Sequence, residues 1–137
     1  MDSKLTTTST VAVQVATVDA EQDRALIAEL VYDQDDACAV TMVLQTASGP
    51  VGWTFARELL IDGQYEPSGD GDVHVWPCLS PRGEAVVIVE LCSPIGETLL
   101  QLPTRAVQDF VYASLEAVPV GTEQLDVDAW IEQILSS

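Results

Sequence analysis

The chain has 137 residues, 47% of them apolar, with 22 Asp and Glu against 5 Lys and Arg, a formal net charge of −17. That length fits a single domain, residues 1–137, able to bury a core of its own without disulfide or metal staples. The charge speaks against phosphate-backbone binding, which runs on clustered cations, and against docking on an anionic leaflet. The apolar fraction is too high for an acidic disordered tail.

Residues 1–10 are rich in Ser and Thr and are expected to fray. Val11, Val13 and Val15 alternate with Ala12, Gln14 and Ala16, a period-two strand. Residues 19–23 form a polar connection. Leu26, Ala28, Leu30 and Tyr32 then line one face of a second strand, with Glu29 on the other. Asp33, Asp35 and Asp36 make an acidic turn, more readily a solvated turn than a cation site. Val40, Met42 and Leu44 mark a third strand, and after Ser48-Gly49-Pro50 the alternating Val51, Trp53 and Phe55 mark a fourth. Four strands joined by short polar turns predict an antiparallel meander.

The pattern then changes. Residues 56–62 read as a short helix, with Gly63 expected just beyond it in the left-handed conformation. Residues 66–71 read as a loop. Three further strands are predicted at Asp72 to Cys78, Ala85 to Cys92 and Thr98 to Leu102, joined by Ser80-Pro81-Arg82-Gly83 and Ser93-Pro94-Ile95-Gly96, both suited to type I turns. After Pro103, Thr104 is a candidate N-cap for an amphipathic helix carrying Val107, Phe110, Val111, Ser114, Leu115 and Val118. A last helix is predicted from an Asp126 cap, with Val127, Trp130, Ile131, Ile134 and Leu135 on one face. That stripe packs on the body or, through Trp130, Ile131 and Ile134, serves as a partner or oligomer interface. The expected class is α+β in β4-α-β3-α-α order, its sheet curled or folded over on itself and its helices closing an end.

Little in the sequence points to catalysis or cofactors. His74 is the only histidine, with Asp72 two residues away on the same strand face to orient it, but no G-x-S-x-G nucleophile motif accompanies it. Asp70-Gly71-Asp72 opens like a calcium loop, yet His74 and Val75 stand where such a loop needs an acid or amide and a glycine. No Gly-rich phosphate loop is present. Three cysteines, Cys38, Cys78 and Cys92, without a C-x-x-C spacing and with a single histidine, predict reduced, mostly buried thiols and neither a disulfide framework nor a zinc site. Trp53, Phe55 and Trp76 could stack bases, as in single-strand binders, but only Lys4, Arg24, Arg57, Arg82 and Arg105 are there to form a cationic groove, so core packing is the expected role. The longest apolar run, Ala85 to Val89, is far short of the ~20 residues of a membrane span, and the first residues lack the apolar stretch of a signal peptide. A cytoplasmic location without membrane insertion is expected.

Several segments together resemble the SsgA-like sporulation and cell division family of actinobacteria, and most of all its SsgB-type members. They are Tyr32-Asp33 with Ala39-Val40; Trp53-Thr54-Phe55-Ala56-Arg57-Glu58-Leu59-Leu60 with Gly63; Gly69-Asp70-Gly71-Asp72-Val73-His74-Val75-Trp76-Pro77; Ser93-Pro94-Ile95-Gly96-Glu97; and Val118-Pro119-Val120-Gly121-Thr122-Glu123. Ala37-Cys38 departs from the Pro-Tyr that the family tends to carry there. The resemblance implies a Whirly-like fold of two antiparallel β-sheets with flanking helices. It also implies a non-enzymatic regulator that helps position the tubulin-like GTPase FtsZ at septa, with a sibling SsgA-like protein as a second partner. It carries over no catalytic, cofactor or metal residues. Trp53, Phe55, Arg57, Trp76 and Pro77 are expected to be structural. The alternative reading, a single-stranded nucleic-acid-binding module, rests on fold kinship alone and runs against the charge. FtsZ proteins are themselves acidic, so charge attraction cannot drive the implied pairing. Apolar residues on both faces of some strands, Val86 and Ile88 opposite Val87 and Val89, predict a homo-oligomer, a trimer being the favoured state.

Overall fold

The computed structural model describes residues 6–16, 24–94 and 96–120. Eight antiparallel strands form one continuous sheet in the spatial order β4-β3-β2-β1-β8-β7-β6-β5. The strands are β1 (Thr6–Ala16), β2 (Arg24–Asp33), β3 (Ala39–Thr46), β4 (Gly49–Ala56), β5 (Ser68–Asp70), β6 (Val73–Leu79), β7 (Ala85–Ser93) and β8 (Gly96–Pro103). Each group of four is a meander followed by a helix: α1 (Arg57–Gly63) after β4 and α2 (Thr104–Ala117) after β8. The meanders join where Gln14, Val15 and Ala16 of β1 pair with Gln101, Leu100 and Leu99 of β8.

The alternation read from the sequence decides which side of the sheet is buried. Val11 and Val13, Ala28, Leu30 and Tyr32, Val40, Met42 and Leu44, Val73 and Val75, Val87, Val89 and Leu91, and Leu100 and Leu102 all turn into one core. Helix α2 lies on that inner face against β1, β7 and β8, and adds Val107, Phe110 and Val111 to the core. Helix α1 adds Leu59 and Leu60, and touches β4, β5 and β6. Because β4 and β5 are the two ends of the strand order, a short helix that touches both draws the ends of the sheet toward each other and curls it.

Five sequence expectations are corrected. Within the stretch 1–10 expected to fray, Thr6 to Thr10 are the first half of β1 and pair with Glu29 to Asp33 of β2. The expected pair of sheets is one eight-stranded sheet, because β1 and β8 pair across the middle. The second meander has four strands: Ser68–Asp70, read as loop, pairs with β6 through Ser68↔Val75, Gly69↔His74 and Asp70↔Val73. A three-residue strand with a central glycine offers no apolar alternation to detect. Gly63 is the last residue of α1 and has no positive φ. Its glycine is required by packing, since a Cβ there would lie 2.7 Å from the Val75 Cβ and 3.3 Å from a Val75 backbone carbon. Finally, the N-cap of α2 is Pro103, with no side-chain cap, and Thr104 is the first helical residue.

Two other local readings hold. The acidic turn becomes a single 3₁₀ turn, Gln34–Asp36, whose N-cap Asp33 accepts a hydrogen bond from the Asp35 amide at 2.9 Å. Ser80 to Gly83 closes with the Gly83 amide donating to the Ser80 carbonyl at 2.8 Å, with Gly83 at φ +80°. The helix expected from Asp126, with Trp130, Ile131 and Ile134, lies outside the described residues.

Candidate functional site

The two distinctive segments meet in space. Trp53, Thr54, Phe55, Ala56 and Leu59 line one side of a cleft of about 220 Å³, and Asp70, Asp72 and Val73 line the other. With Gly63 pressed on Val75, the W-x-F-A-R-x-L-L and G-x-G-D-V-x-V-W-P stretches are the two halves of the contact that closes the curl.

Arg57 is the polar anchor of this region. It is 2% exposed, among the largest fully buried side chains. Its Nη1 donates to the Ser114 carbonyl at 3.1 Å and to the Val118 carbonyl at 2.7 Å, at the C-terminal end of α2, where unsatisfied carbonyls and the helix dipole favour a cation. The guanidinium lies 4.8 Å from the Tyr32 ring centroid. Tyr32 donates its hydroxyl to the Ala37 carbonyl at 2.8 Å, and the Arg57 amide donates to the Cys38 carbonyl at 2.8 Å. One buried side chain thus joins β2, α1 and the end of α2, the structural role expected of it.

The aromatic residues do not form a single platform. Phe55 is buried and Trp53 packs partly against the core, whereas Trp76 is half-buried on the opposite, outward face of the sheet. The outward face of β6 to β8 has an apolar part beside its polar one. Trp76 pairs with Ile88, Ile88 with Gln101, and Cys78 with Val86, so these side chains form adjoining rows. Cys38 and Cys78 are exposed and Cys92 is half-buried, so the thiols are not the mostly buried set the composition suggested.

His74 also projects outward, and its partner is not Asp72. In the register His74 stands opposite Glu90, and its Nδ1 lies 3.2 Å from the Glu90 Oε1. Cys92, two residues along the same face of β7, donates its thiol to that same oxygen at 3.7 Å. Ligand atoms of His74, Glu90 and Cys92 all lie within 4.8 Å of one another. Partial burial, then the negative charges of Glu90 and Glu97, push the Cys92 thiol above its ordinary value. That upward shift makes Cys92 a poor nucleophile, and in this structure the trio is joined by hydrogen bonds through the Glu90 carboxylate. Glu90 and Cys92 were missed because their sequence distance from His74 hides a contact that only strand pairing makes. Beside the trio, Pro67, Ser68, Gly69, His74, Val75, Trp76 and Glu90 line an open groove of about 320 Å³.

A curled antiparallel sheet with helices on its inner face, and a signature pair of segments spent on closing the curl, make a structural scaffold. Comparison with known proteins places that scaffold: residues 26–123 match the family described as Streptomyces sporulation and cell division protein, SsgA. The chain belongs to this SsgA-like family and is of its SsgB type. It is 43% identical over 122 residues to the sporulation-specific cell division protein SsgB of Streptomyces coelicolor, covering 87% of this chain and 88% of that one. It is 42% identical over 101 residues to SsgB of Frankia casuarinae, covering 72% and 70%. A solved structure from work relating SsgB mutations to longitudinal cell division during sporulation of Streptomyces coelicolor superposes with a TM-score of 0.83 at 39% identity, over 90% of this chain and 97% of that one. An SsgA-like sporulation-specific cell division protein from Thermobifida fusca superposes at 0.82 and 32% identity, over 97% and 98%.

Proposed function

We propose that this chain is a non-enzymatic regulator of sporulation-specific cell division, which helps position FtsZ and the septum together with a sibling SsgA-like protein. The observation that carries the reading is kinship over most of the chain with proteins named for sporulation-specific cell division. The site chemistry agrees with it, because the signature residues Phe55, Arg57 and Gly63 are consumed by packing. The protein acts in the cytoplasm at septa, and no helix among the described residues is long and apolar enough to cross a membrane.

The working form is a homo-oligomer, a trimer by preference, with the Trp76, Ile88 and Cys78 rows of the outward face as the contact. Apolar side chains on a second sheet face gain most when another chain covers them. The Whirly-like relationship is kept as a likeness of architecture. It carries no nucleic-acid function here, since Arg57 is buried in the core and withdraws one of five cations from any groove.

At −17, the chain repels an acidic FtsZ surface at long range, so direct contact rests on apolar and hydrogen-bonded patches. The Debye length shrinks from ~30 Å at 0.01 M to ~8 Å at 0.15 M salt. Co-sedimentation with assembled FtsZ filaments, corrected for filament mass, is expected to hold or strengthen over that range. Binding that collapses with salt would contradict the apolar contact. No binding at any salt would rule out a direct FtsZ contact and leave positioning to the sibling partner.

A further inference from the structure

We propose that His74, Glu90 and Cys92 form a zinc-binding site on the outward face of the sheet, with three protein ligands and water in the fourth position. Zinc takes His nitrogen and carboxylate oxygen at ~2.0–2.2 Å and Cys sulfur at ~2.3 Å in a tetrahedron. Those bond lengths require donor-to-donor edges of about 3.3 Å for nitrogen to oxygen and about 3.6 Å for oxygen to sulfur. The His74 Nδ1 and Glu90 Oε1 are 3.2 Å apart, and the Glu90 Oε1 and Cys92 Sγ are 3.7 Å apart. Two of the three protein edges are therefore already set; the third, nitrogen to sulfur, lies within 4.8 Å against the about 3.6 Å a tetrahedron requires, so a shift of one flexible side chain closes the site.

The donors are also held. His74 is on β6, and Glu90 and Cys92 are on neighbouring β7, so the spacing is fixed by the backbone ladder and not by a loop. Gly69 of the edge strand β5 faces His74, and a Cβ there would lie 3.2 Å from the imidazole Nε2 and 3.3 Å from Cγ. The ring thus turns its Cδ2 edge to bare backbone and its Nδ1 edge toward Glu90, an arrangement that a bulkier residue at 69 would forbid. Glu97, opposite Cys92 on β8, adds negative charge beside the site. The adjoining groove gives an ion and its water a path from solvent. A mixed nitrogen, oxygen and sulfur set suits borderline-soft zinc over magnesium or calcium, which prefer oxygen alone. On binding, the Cys92 S–H bond breaks, its proton leaves to buffer, and a sulfur–metal bond forms.

The test is titration of the full chain with Co²⁺ as a spectroscopic stand-in, followed by displacement with Zn²⁺ and equilibrium dialysis of Zn²⁺ alone. One Co²⁺ per chain with a thiolate-to-cobalt charge-transfer band is expected. Cys92→Ser abolishes the band, and Cys92→Ser, His74→Gln and Gly69→Val each weaken zinc binding at least ~10-fold, a loss of the size seen when metal-site residues are removed. A Cys38→Ser/Cys78→Ser double variant keeps both band and affinity. These positions are exposed or half-buried, and circular dichroism checks that each variant is folded. No charge-transfer band in the unaltered chain, or a band that survives Cys92→Ser, would overturn the proposal.

Discussion

Replacing Arg57 by Met removes the charge while keeping much of the side-chain volume. The buried guanidinium answers the Ser114 and Val118 carbonyls at 3.1 and 2.7 Å and stacks near Tyr32. Hydrogen bonds from a charged donor contribute ~1.5–3 kcal/mol each, and a desolvated cation–π contact ~0.5–2 kcal/mol. These contributions do not add, because removing the cation also removes its desolvation cost. Against that, the Val118 carbonyl is left facing a methionine, while the Ser114 carbonyl keeps the Val118 amide at 2.9 Å. The net expectation is a loss of ~1–3 kcal/mol, the cost of leaving a buried neutral acceptor without its donor, which is an appreciable share of the ~5–15 kcal/mol that holds an ordinary domain. Arg57→Lys recovers only part of it, since an ammonium reaches a carbonyl but lacks the planar fork and the stacking face. Urea unfolding at constant m-value measures both variants. The loss is expected to be nearly independent of salt, because the group is buried. A loss under ~1 kcal/mol for Arg57→Met, or full recovery with Lys, would refute the role of Arg57 as the tie between α1 and α2.

Gly63→Ala, which normally favours a helix, is expected to destabilise the fold by ~1–3 kcal/mol in the same urea assay, because its Cβ meets Val75; a neutral or stabilising result would disprove the close approach. Ile88→Asp and Trp76→Asp on the outward face are expected to reduce the oligomer seen by light scattering at tens of micromolar while leaving circular dichroism unchanged; an unaltered chain that is already monomeric there would refute the oligomer. Single-stranded DNA is expected to bind no tighter than about 0.1 mM near physiological salt by fluorescence anisotropy, and submicromolar affinity would revive the nucleic-acid reading.

The parts of the fold that were legible in the sequence are those where burial imposes a period. Leu26 to Tyr32, Val40 to Leu44 and Val87 to Leu91 alternate because one face of the sheet is core, and Val107, Phe110, Val111 and Ser114 recur at three and four because one face of α2 is. Strand β5 escaped because Ser68-Gly69-Asp70 buries nothing that could mark a period, and Gly63 was misjudged because a packing glycine and a turn glycine look alike in one dimension. The union of the two halves into one sheet depends on three residue pairs between β1 and β8, a long-range choice that no local pattern records. The same holds for the outward-facing trio. His74 and Asp72 are neighbours in sequence, yet the ladder gives His74 to Glu90, and Cys92 follows because it shares a face with Glu90. Kinship to a family was legible at the curl-closing segments for the opposite reason: close packing around Phe55, Arg57 and Gly63 demands particular residues, and so leaves a recognisable run.

The division role is tested most directly in the sporulating host, by imaging a fluorescently tagged copy together with FtsZ before septa appear, and by imaging FtsZ alone in a strain lacking the chain. The tagged copy is expected to stand at future septal sites ahead of or together with FtsZ, and its removal is expected to leave FtsZ unplaced and sporulation septa missing. A copy spread evenly through the cytoplasm, with FtsZ ladders and septa intact in its absence, would contradict the role.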